Sequence, residues 1–283
     1  MSGPRGALYV VATPIGNLGD VTPRATETLR ECDRVLAEDT RRSRQLLAHL
    51  GIAGKPVDRF DAHASAADAA RVVERLESGE NVALVTDAGT PGVSDPGEHL
   101  VRAAIAAGIR VVSIPGPSAV LAALVASGVA GDGRFRFVGF LPRDGSARRE
   151  AIATVSATPE AVVLFEAPSR TRATLLDLAD ATPGRSACVA RELTKVHEEY
   201  VRGSLAELAA DERPWLGEIV VVLGAHTPES REASVGDDAL DARIDEALAR
   251  GEHARSISDR LAAWSGRPRR AVYERVVSRK KRP

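Results

Sequence analysis

Three short segments hold the residue types whose spacing could do chemistry. They are Thr13-Pro14-Ile15-Gly16-Asn17-Leu18-Gly19-Asp20, Asp87-Ala88-Gly89-Thr90-Pro91-Gly92-Val93-Ser94-Asp95-Pro96-Gly97 and Pro115-Gly116-Pro117-Ser118-Ala119. Each follows an apolar run: residues 8–12, 82–85 and 110–114. Glycine permits positive φ and close backbone approach, whereas proline fixes φ and removes a donor. Segments so composed are neither helix nor strand. They are predicted to be shaped loops at the carboxyl ends of strands, where open α/β sheets bind ligands. The central one is far longer than the 2–6 residues usual for such a connection. In a parallel sheet all three would share one edge. They are rich in main-chain donors and acceptors and contain no Lys or Arg. That chemistry suits a small polar cofactor held by backbone and suits a triphosphate poorly.

Several common chemistries are excluded. There is no G-x-G-x-x-G, and Gly51-Ile52-Ala53-Gly54-Lys55-Pro56 is too short for a Walker loop. His197-Glu198-Glu199-Tyr200 is not H-E-x-x-H, and neither C-x-x-C nor G-x-S-x-G occurs. The six His are scattered, so no metal site is expected. Cys32 and Cys188 each lie beside a strand-like run and read as small core residues. No apolar run is long enough to span a bilayer, and no signal-peptide core opens the chain. A cytoplasmic location is expected.

Stepping along the chain, strand-like and helix-like segments alternate. Strands are predicted at 8–12, 34–37, 56–60, 82–85 and 110–114, with helices between them. Thr22-Pro23 is a capped helix start, and Gly51 and Gly108 are helix stops. Repeated βα units imply a mostly parallel sheet. The glycines of 128–133 mark a boundary. A second α/β unit follows, with strands at 135–140, 161–165, 187–190, 196–201 and 218–223 and hints of antiparallel pairing. Residues 227–235 form a polar linker. Three helices close the chain, the last with Val272, Tyr273, Val276 and Val277 as its apolar side. The expected domains are residues 1–130, 131–226 and a basic helical tail at 237–283. Net charge is −1, but residues 251–283 hold ten Arg/Lys against three Asp/Glu, a net of +7. The first 250 therefore carry −8. Such basic appendages meet phosphate backbones or serve as solvated surface. The tail resembles a helix-turn-helix.

Residues 8–20, Ala37-Glu38-Asp39-Thr40-Arg41, Asp87-Ala88-Gly89-Thr90-Pro91 and Ile114-Pro115-Gly116-Pro117-Ser118-Ala119 strongly resemble the bacterial 16S rRNA (cytidine-2′-O)-methyltransferases. These are S-adenosylmethionine (SAM) enzymes of the tetrapyrrole-methylase-like class. Gly139-Phe140-Leu141-Pro142, Ala190-Arg191-Glu192-Leu193-Thr194-Lys195 and Gly217-Glu218-Ile219-Val220 follow in order. The resemblance spans residues 7–224. Small-molecule tetrapyrrole methylases usually read G-D-P where this chain reads Gly89-Thr90-Pro91, so a carboxylate contact to SAM there does not carry over.

The resemblance implies two α/β domains of the tetrapyrrole methylase type, a cofactor cleft between them, a small C-terminal helical region and a homodimer. It implies SAM contacts from Pro14, Ile15, Gly16, Thr90, Val93, Ser118 and Ala119, joined by Phe165, Ala190 and Ile219. A ribose 2′-oxygen would attack the sulfonium methyl, and a base would help because a ribose hydroxyl is a weak acid. Glu38 and Asp39 are the preferred carboxylates, with Arg41 beside them and Arg42 on RNA phosphate. Glu166, Arg170, Arg191, Glu192 and Lys195 are alternatives in the second domain. Each carboxylate could instead be an Arg-paired structural residue. Arg255, Arg260, Arg267, Arg269 and Arg270 are the expected phosphate-binding surface for 16S rRNA in the small ribosomal subunit. Two other readings stay open: SAM-dependent C-methylation of a tetrapyrrole-like small molecule, and a non-catalytic SAM- or ribosome-binding protein.

Overall fold

The structure is a computed structural model describing residues 5–94, 97–225, 237–265, 267 and 269–280. Asp95, the linker at 227–235, Gly266 and Pro268 of the tail turn, and Lys281 and Arg282 lie outside the described residues. The chain divides into two compact units. One is Met1–Ala122 with Leu193–Val196; the other is Ala123–Glu192 with His197–Pro283.

The first unit is built on a five-stranded, all-parallel sheet. Its strands are β1 (Ala7–Val11), β2 (Arg34–Ala37), β3 (Val57–Arg59), β4 (Val82–Leu84) and β5 (Arg110–Ile114), in the order β3-β2-β4-β1-β5. The intervening helices are α1 (Pro23–Glu31), α2 (Thr40–His49), α3 (Ala66–Glu77) and α4 (Glu98–Ala106). Strand alternation sorts the core into two layers. Val11, Val35, Ala37 and Ala83 pack with Ala25 and Leu29 of α1 and Leu47 of α2. Leu8, Leu36, Val82 and Leu84 pack with Leu76 of α3 and Leu100 of α4. Helices therefore cover both faces, and the strands read as continuous apolar runs. The expected start of α1 is observed: the Thr22 side chain accepts from Ala25 N, with Pro23 in the first turn.

α5 (Ala119–Ser127) leads toward a second five-stranded sheet, ordered β6-β7-β10-β8-β9. Its strands are β6 (Phe135–Phe140), β7 (Ala161–Glu166), β8 (Ser186–Arg191), β9 (Glu199–Ser204) and β10 (Ile219–Leu223). Only β6 and β7 are parallel; β10 runs antiparallel to β7 and β8, and β9 antiparallel to β8. Helices α6 (Gly145–Ala157), α7 (Pro168–Ala181) and α8 (Leu205–Ala210) belong to this unit. Their Val155, Leu175 and Leu208 join Leu164, Val189, Ile219 and Val221 in one apolar layer. The strand expected at 196–201 is displaced. Arg191, the last residue of β8, pairs with Glu199, so the residues between form the turn. Val196 is 97% exposed within it.

The tail forms α9 (Asp237–Ala249), α10 (Ala254–Ser265) and α11 (Arg269–Lys280) around Leu240, Ile244, Ile257, Leu261, Trp264, Val272 and Val276. Val272 and Val276, one turn apart, point inward, whereas Tyr273 is exposed. The apolar side of α11 is thus narrower than its composition implies. Arg243 stacks 4.3 Å from the Trp264 ring centroid and reaches Asp180 of α7 at 3.9 Å. Both cysteines are buried and unpaired by disulfide. No helix among the described residues is long and apolar enough to cross a membrane.

Arg185 is a buried cation that makes no carboxylate contact among the described residues. Its guanidinium donates to the carbonyls of Gly224 (2.7 Å), Val155 (3.0 Å) and Glu160 (2.8 Å). Burial lowers its pKa to about 10, so it remains charged at neutral pH. Each buried acceptor stranded by its loss costs about 1–3 kcal/mol. Arg185→Met should therefore lower the stability of this unit by about 3 kcal/mol or more, read as a fall in the urea midpoint with little change in slope.

Candidate active site

The three loops of the first unit are fastened together by backbone. Thr13 and Gly89 exchange both main-chain hydrogen bonds, at 2.8 and 3.0 Å, as an isolated bridge. The Thr13 hydroxyl donates to Thr86 O at 3.1 Å, and the Thr90 hydroxyl donates to Pro117 O at 3.1 Å. The first loop is thus bonded to the second, and the second to the third. The strand order explains why: β4, β1 and β5 are neighbours and parallel, so their carboxyl ends share one edge. A Cβ added to Gly89 would stand 3.4 Å from Ile15 Cγ2, and φ there is +84°.

The carboxyl end of β2 adds charge to this edge. Asp39 caps α2: its Oδ1 accepts from Arg41 N at 2.8 Å, and its Oδ2 lies 3.1 Å from Arg41 Nη2. The side-chain hydrogen bond from Arg41 is the main reason its pKa falls to about 2. Asp87 accepts from Asp39 N at 3.0 Å and faces Arg42 Nη1 at 3.4 Å. Glu38 makes no ion pair among the described residues; its Oε2 lies 3.5 Å from the Thr86 hydroxyl. A cavity of about 220 Å³ opens beside these groups, lined by Thr13, Pro14, Leu18, Arg42, Ser43 and Asp87 among others.

The structure therefore brings Pro14, Glu38, Asp39 and Arg42 to one edge, with Thr13, Thr86 and Asp87, which the motifs alone did not single out as site residues. The signal for Asp87 was its place at the start of the second loop, three residues after β4; its partner Arg42 lies 45 positions away in the chain and could not be read from spacing. Val93 sits in the second loop, where its N–H donates to Thr90 O at 3.2 Å. Ser118 and Ala119 open α5, and Ser118 O accepts from Ala122 N at 2.9 Å. Gly16 is packed on a distant part of the chain. A Cβ there would meet Lys195 Cγ at 2.5 Å, Thr194 Oγ1 at 2.9 Å and Leu193 O at 3.0 Å. This places Lys195 against the first loop, within the first unit. The turn that carries it holds Glu192 and Thr194 at φ of +50° and +65°. Non-glycine residues in that region are strained, and such strain gathers at functional sites.

The second-unit residues divide. Phe165 and Ala190 flank Val220 from opposite sides, in one cross-strand row. Ile219, one residue earlier, points to the other face and is buried in the layer beneath the helices. Alternation along β10 turns its side chain to the face opposite Val220. Glu166 is buried and fully engaged: it accepts from Ala167 N (2.8 Å), Arg170 Nε (2.7 Å) and the Thr174 hydroxyl (2.6 Å). It holds the start of α7, and Arg170 with it. Arg191 donates to Leu216 O (3.0 Å) and meets Glu199 at 3.2 Å. Glu192 accepts from Glu218 N at 2.9 Å.

In the tail, Arg260 meets Glu252 (2.6 Å), Arg267 meets Asp237 (2.6 Å), and Arg270 meets Glu274 (3.0 Å). Arg269 pairs with Asp259. Arg255 is exposed and makes no ion pair among the described residues. The acidic side of α9 also takes Arg275, at Asp237 (3.2 Å) and Asp241 (2.5 Å). The excess of arginine in the sequence is thus partly neutralised within the bundle.

A profile of the tetrapyrrole (corrin/porphyrin) methylases matches residues 7–209. A Synechocystis protein named ribosomal RNA small subunit methyltransferase I is 43% identical, over 95% of this chain and 96% of its own. The protein of the same name from Xylella fastidiosa (Temecula1) is 46% identical over 96% and 99%. This chain belongs to the ribosomal RNA small subunit methyltransferase I family, within the tetrapyrrole methylases. Its fold is shared with the solved methyltransferase CobJ, at a TM-score of 0.59 and 23% identity, over 78% of this chain and 94% of that one.

Gly16 gives a test of the site within this family. Gly16→Ala forces the first loop and the 193–195 turn apart. Calorimetry with SAM should show affinity reduced at least tenfold, with far-ultraviolet circular dichroism unchanged.

Proposed function

We propose that this chain transfers a methyl group from SAM to the ribose 2′-oxygen of a decoding-centre cytidine in 16S rRNA, on the small ribosomal subunit. The observation that carries this reading is coverage. Relatives named for small-subunit rRNA methylation align over about 95% of both chains, tail included. The solved methyltransferase CobJ shares the fold over 78% of this chain. Small-molecule C-methylation explains the two sheets and leaves the helical tail without a use. A homodimer and a cytoplasmic location accompany the reading.

The residues fit the cofactor's chemistry. SAM carries a cationic sulfonium and an electrophilic methyl, and the three loops offer main-chain groups with no Lys or Arg to repel it. Pro14, Ile15 and Gly16, Thr90 and Val93, and Ser118 and Ala119 would hold it. With an activated leaving group supplied, positioning provides much of the rate.

The proton on the ribose oxygen needs an acceptor. Asp39 is poorly suited, because its Arg41 pairing and its cap role hold its pKa near 2. Glu38 pairs with no arginine among the described residues and lies beside Thr86, and it takes the base role here. Arg42, 66% exposed beside Asp87, would meet phosphate, as would Arg255, Arg260, Arg267, Arg269 and Arg270. Exposed ion pairs are worth only about 0–1 kcal/mol, so the tail arginines can exchange carboxylate for phosphate.

Incubation with labelled SAM and unmodified small subunits should place label on one cytidine ribose. Label only on a porphyrinoid, or SAM binding without transfer, would overturn the reading. Glu38→Gln should lower the single-turnover rate at least a hundredfold with SAM affinity within twofold of normal.

The Asp39 carboxylate gives a test by pH. Because the Asp39 pKa is depressed in the fold, its cap contributes above the ordinary carboxylate range, about pH 4. The contribution is lost as pH falls toward 2. Asp39→Asn should therefore lower the urea midpoint above about pH 4, with the difference from wild type vanishing as pH falls below about 2.

Deleting residues 237–283 should weaken small-subunit binding and flatten its salt dependence. Unchanged affinity across a salt series would remove the tail from that role.

A further inference from the structure

The chain has five Phe, and three of them meet at one end of the second sheet. Phe137 and Phe165 lie edge to face with centroids 5.0 Å apart, and Phe140 and Phe165 are tilted at 5.5 Å. Residues 137 and 140 are an odd number apart, so a regular strand would send them to opposite faces. A bulge changes this. Phe137 pairs with Val163 and Phe140 with Phe165, three residues of β6 against two of β7. Gly139 makes the extra step possible with φ of +66°, a region that disfavours side chains. Both rings consequently fall against Phe165, and Phe140 is left 59% exposed.

The segment that presents this ring is clamped. Arg170, held by buried Glu166, donates to Leu141 O at 3.1 Å. Arg148 donates to Pro142 O at 3.3 Å and is itself fixed by Thr174 and Asp177. Arg143 follows three residues after the ring, within about 10 Å of chain. Arg143 and Arg149 are exposed and make no ion pair among the described residues. They line an open groove of about 500 Å³. Its Asp177 and Asp180 already pair with Arg148 and Arg243, which leaves Asp144 as the opposing charge.

A rigid, exposed aromatic face beside free guanidinium groups is the combination that binds single-stranded nucleic acid. Bases stack on the ring while cations take the backbone phosphates, and the stacking tolerates any base. We propose that Phe140 is a stacking platform for an unpaired base of the RNA substrate, with Arg143 and Arg149 on the adjoining phosphates. This deepens the rRNA reading and rests on it. Phe140 acts as a positioning residue: it holds the strand and touches no reacting atom.

The test begins with wild-type methyl transfer to unmodified small subunits, so that failure of the rRNA reading is seen separately. Given that activity, Phe140→Ala should raise KM for the subunit about tenfold, with kcat changed less than twofold. SAM affinity and the sedimentation profile should not change. Phe140→Trp should restore KM, which a merely structural ring would not allow. Arg143→Gln with Arg149→Gln should reduce the slope of log affinity against log salt by about 1.4, near 0.7 per phosphate. Unchanged KM in Phe140→Ala overturns the proposal. So does a loss confined to SAM affinity, which would assign the ring to the cofactor, or a change of oligomeric state, which would assign it to self-association.

Discussion

The paired hydrogen bonds between Thr13 and Gly89 are the constraint on which the first unit's site depends. Two loops that begin on adjacent parallel strands would otherwise diverge, each following its own helix to opposite faces of the sheet. The bridge holds them together beyond the last ladder bond. Gly89 can serve because its backbone is left-handed and because no Cβ presses on Ile15. The Thr90 hydroxyl extends the same fastening to Pro117. A surface made this way is rigid without large side chains, which leaves main-chain groups available to a ligand. Charge is brought in separately, from the end of β2, and is ordered by Asp87.

Much of this was legible in the sequence. The βα alternation, the cap at Thr22, the three loops and the family are carried by residues close together in the chain, where turn chemistry and periodicity act locally. Less legible was whatever depends on register between distant strands. The order of the first sheet decides which loop ends are neighbours, and nothing local in 13–20 says that Gly89 will face Thr13. Ile219 shows the same limit on a smaller scale. A motif locates it beside Val220, but only the pleat decides which of the two shares a face with Phe165 and Ala190. The β6 bulge is a third case, because Gly139 alone does not say that Phe140 will be turned onto Phe165.

The carboxylates show how partner and place decide a role. Glu38 and Asp39 are adjacent, yet one caps a helix under an arginine and the other meets only a threonine hydroxyl. Glu166, an alternative to them in the sequence, is consumed by three donors at the start of α7. The tail follows the same logic in reverse. Its arginines are numerous, but Asp237, Asp241 and Asp245 on α9 already answer several of them. Net charge along the chain therefore overstates the charge the folded bundle displays.

The segment Leu193–Val196 belongs with the first unit although residues 123–192 of the second unit are threaded before it. During synthesis, which delivers the chain from its N-terminus, the first 122 residues emerge without the piece that packs on Gly16. The first loop reaches its final surroundings only after residue 196 has left the ribosome. Completion of the cofactor edge is thus timed to translation of the second sheet, and a fragment ending at the apparent first domain would carry all three loops with one of their supports missing.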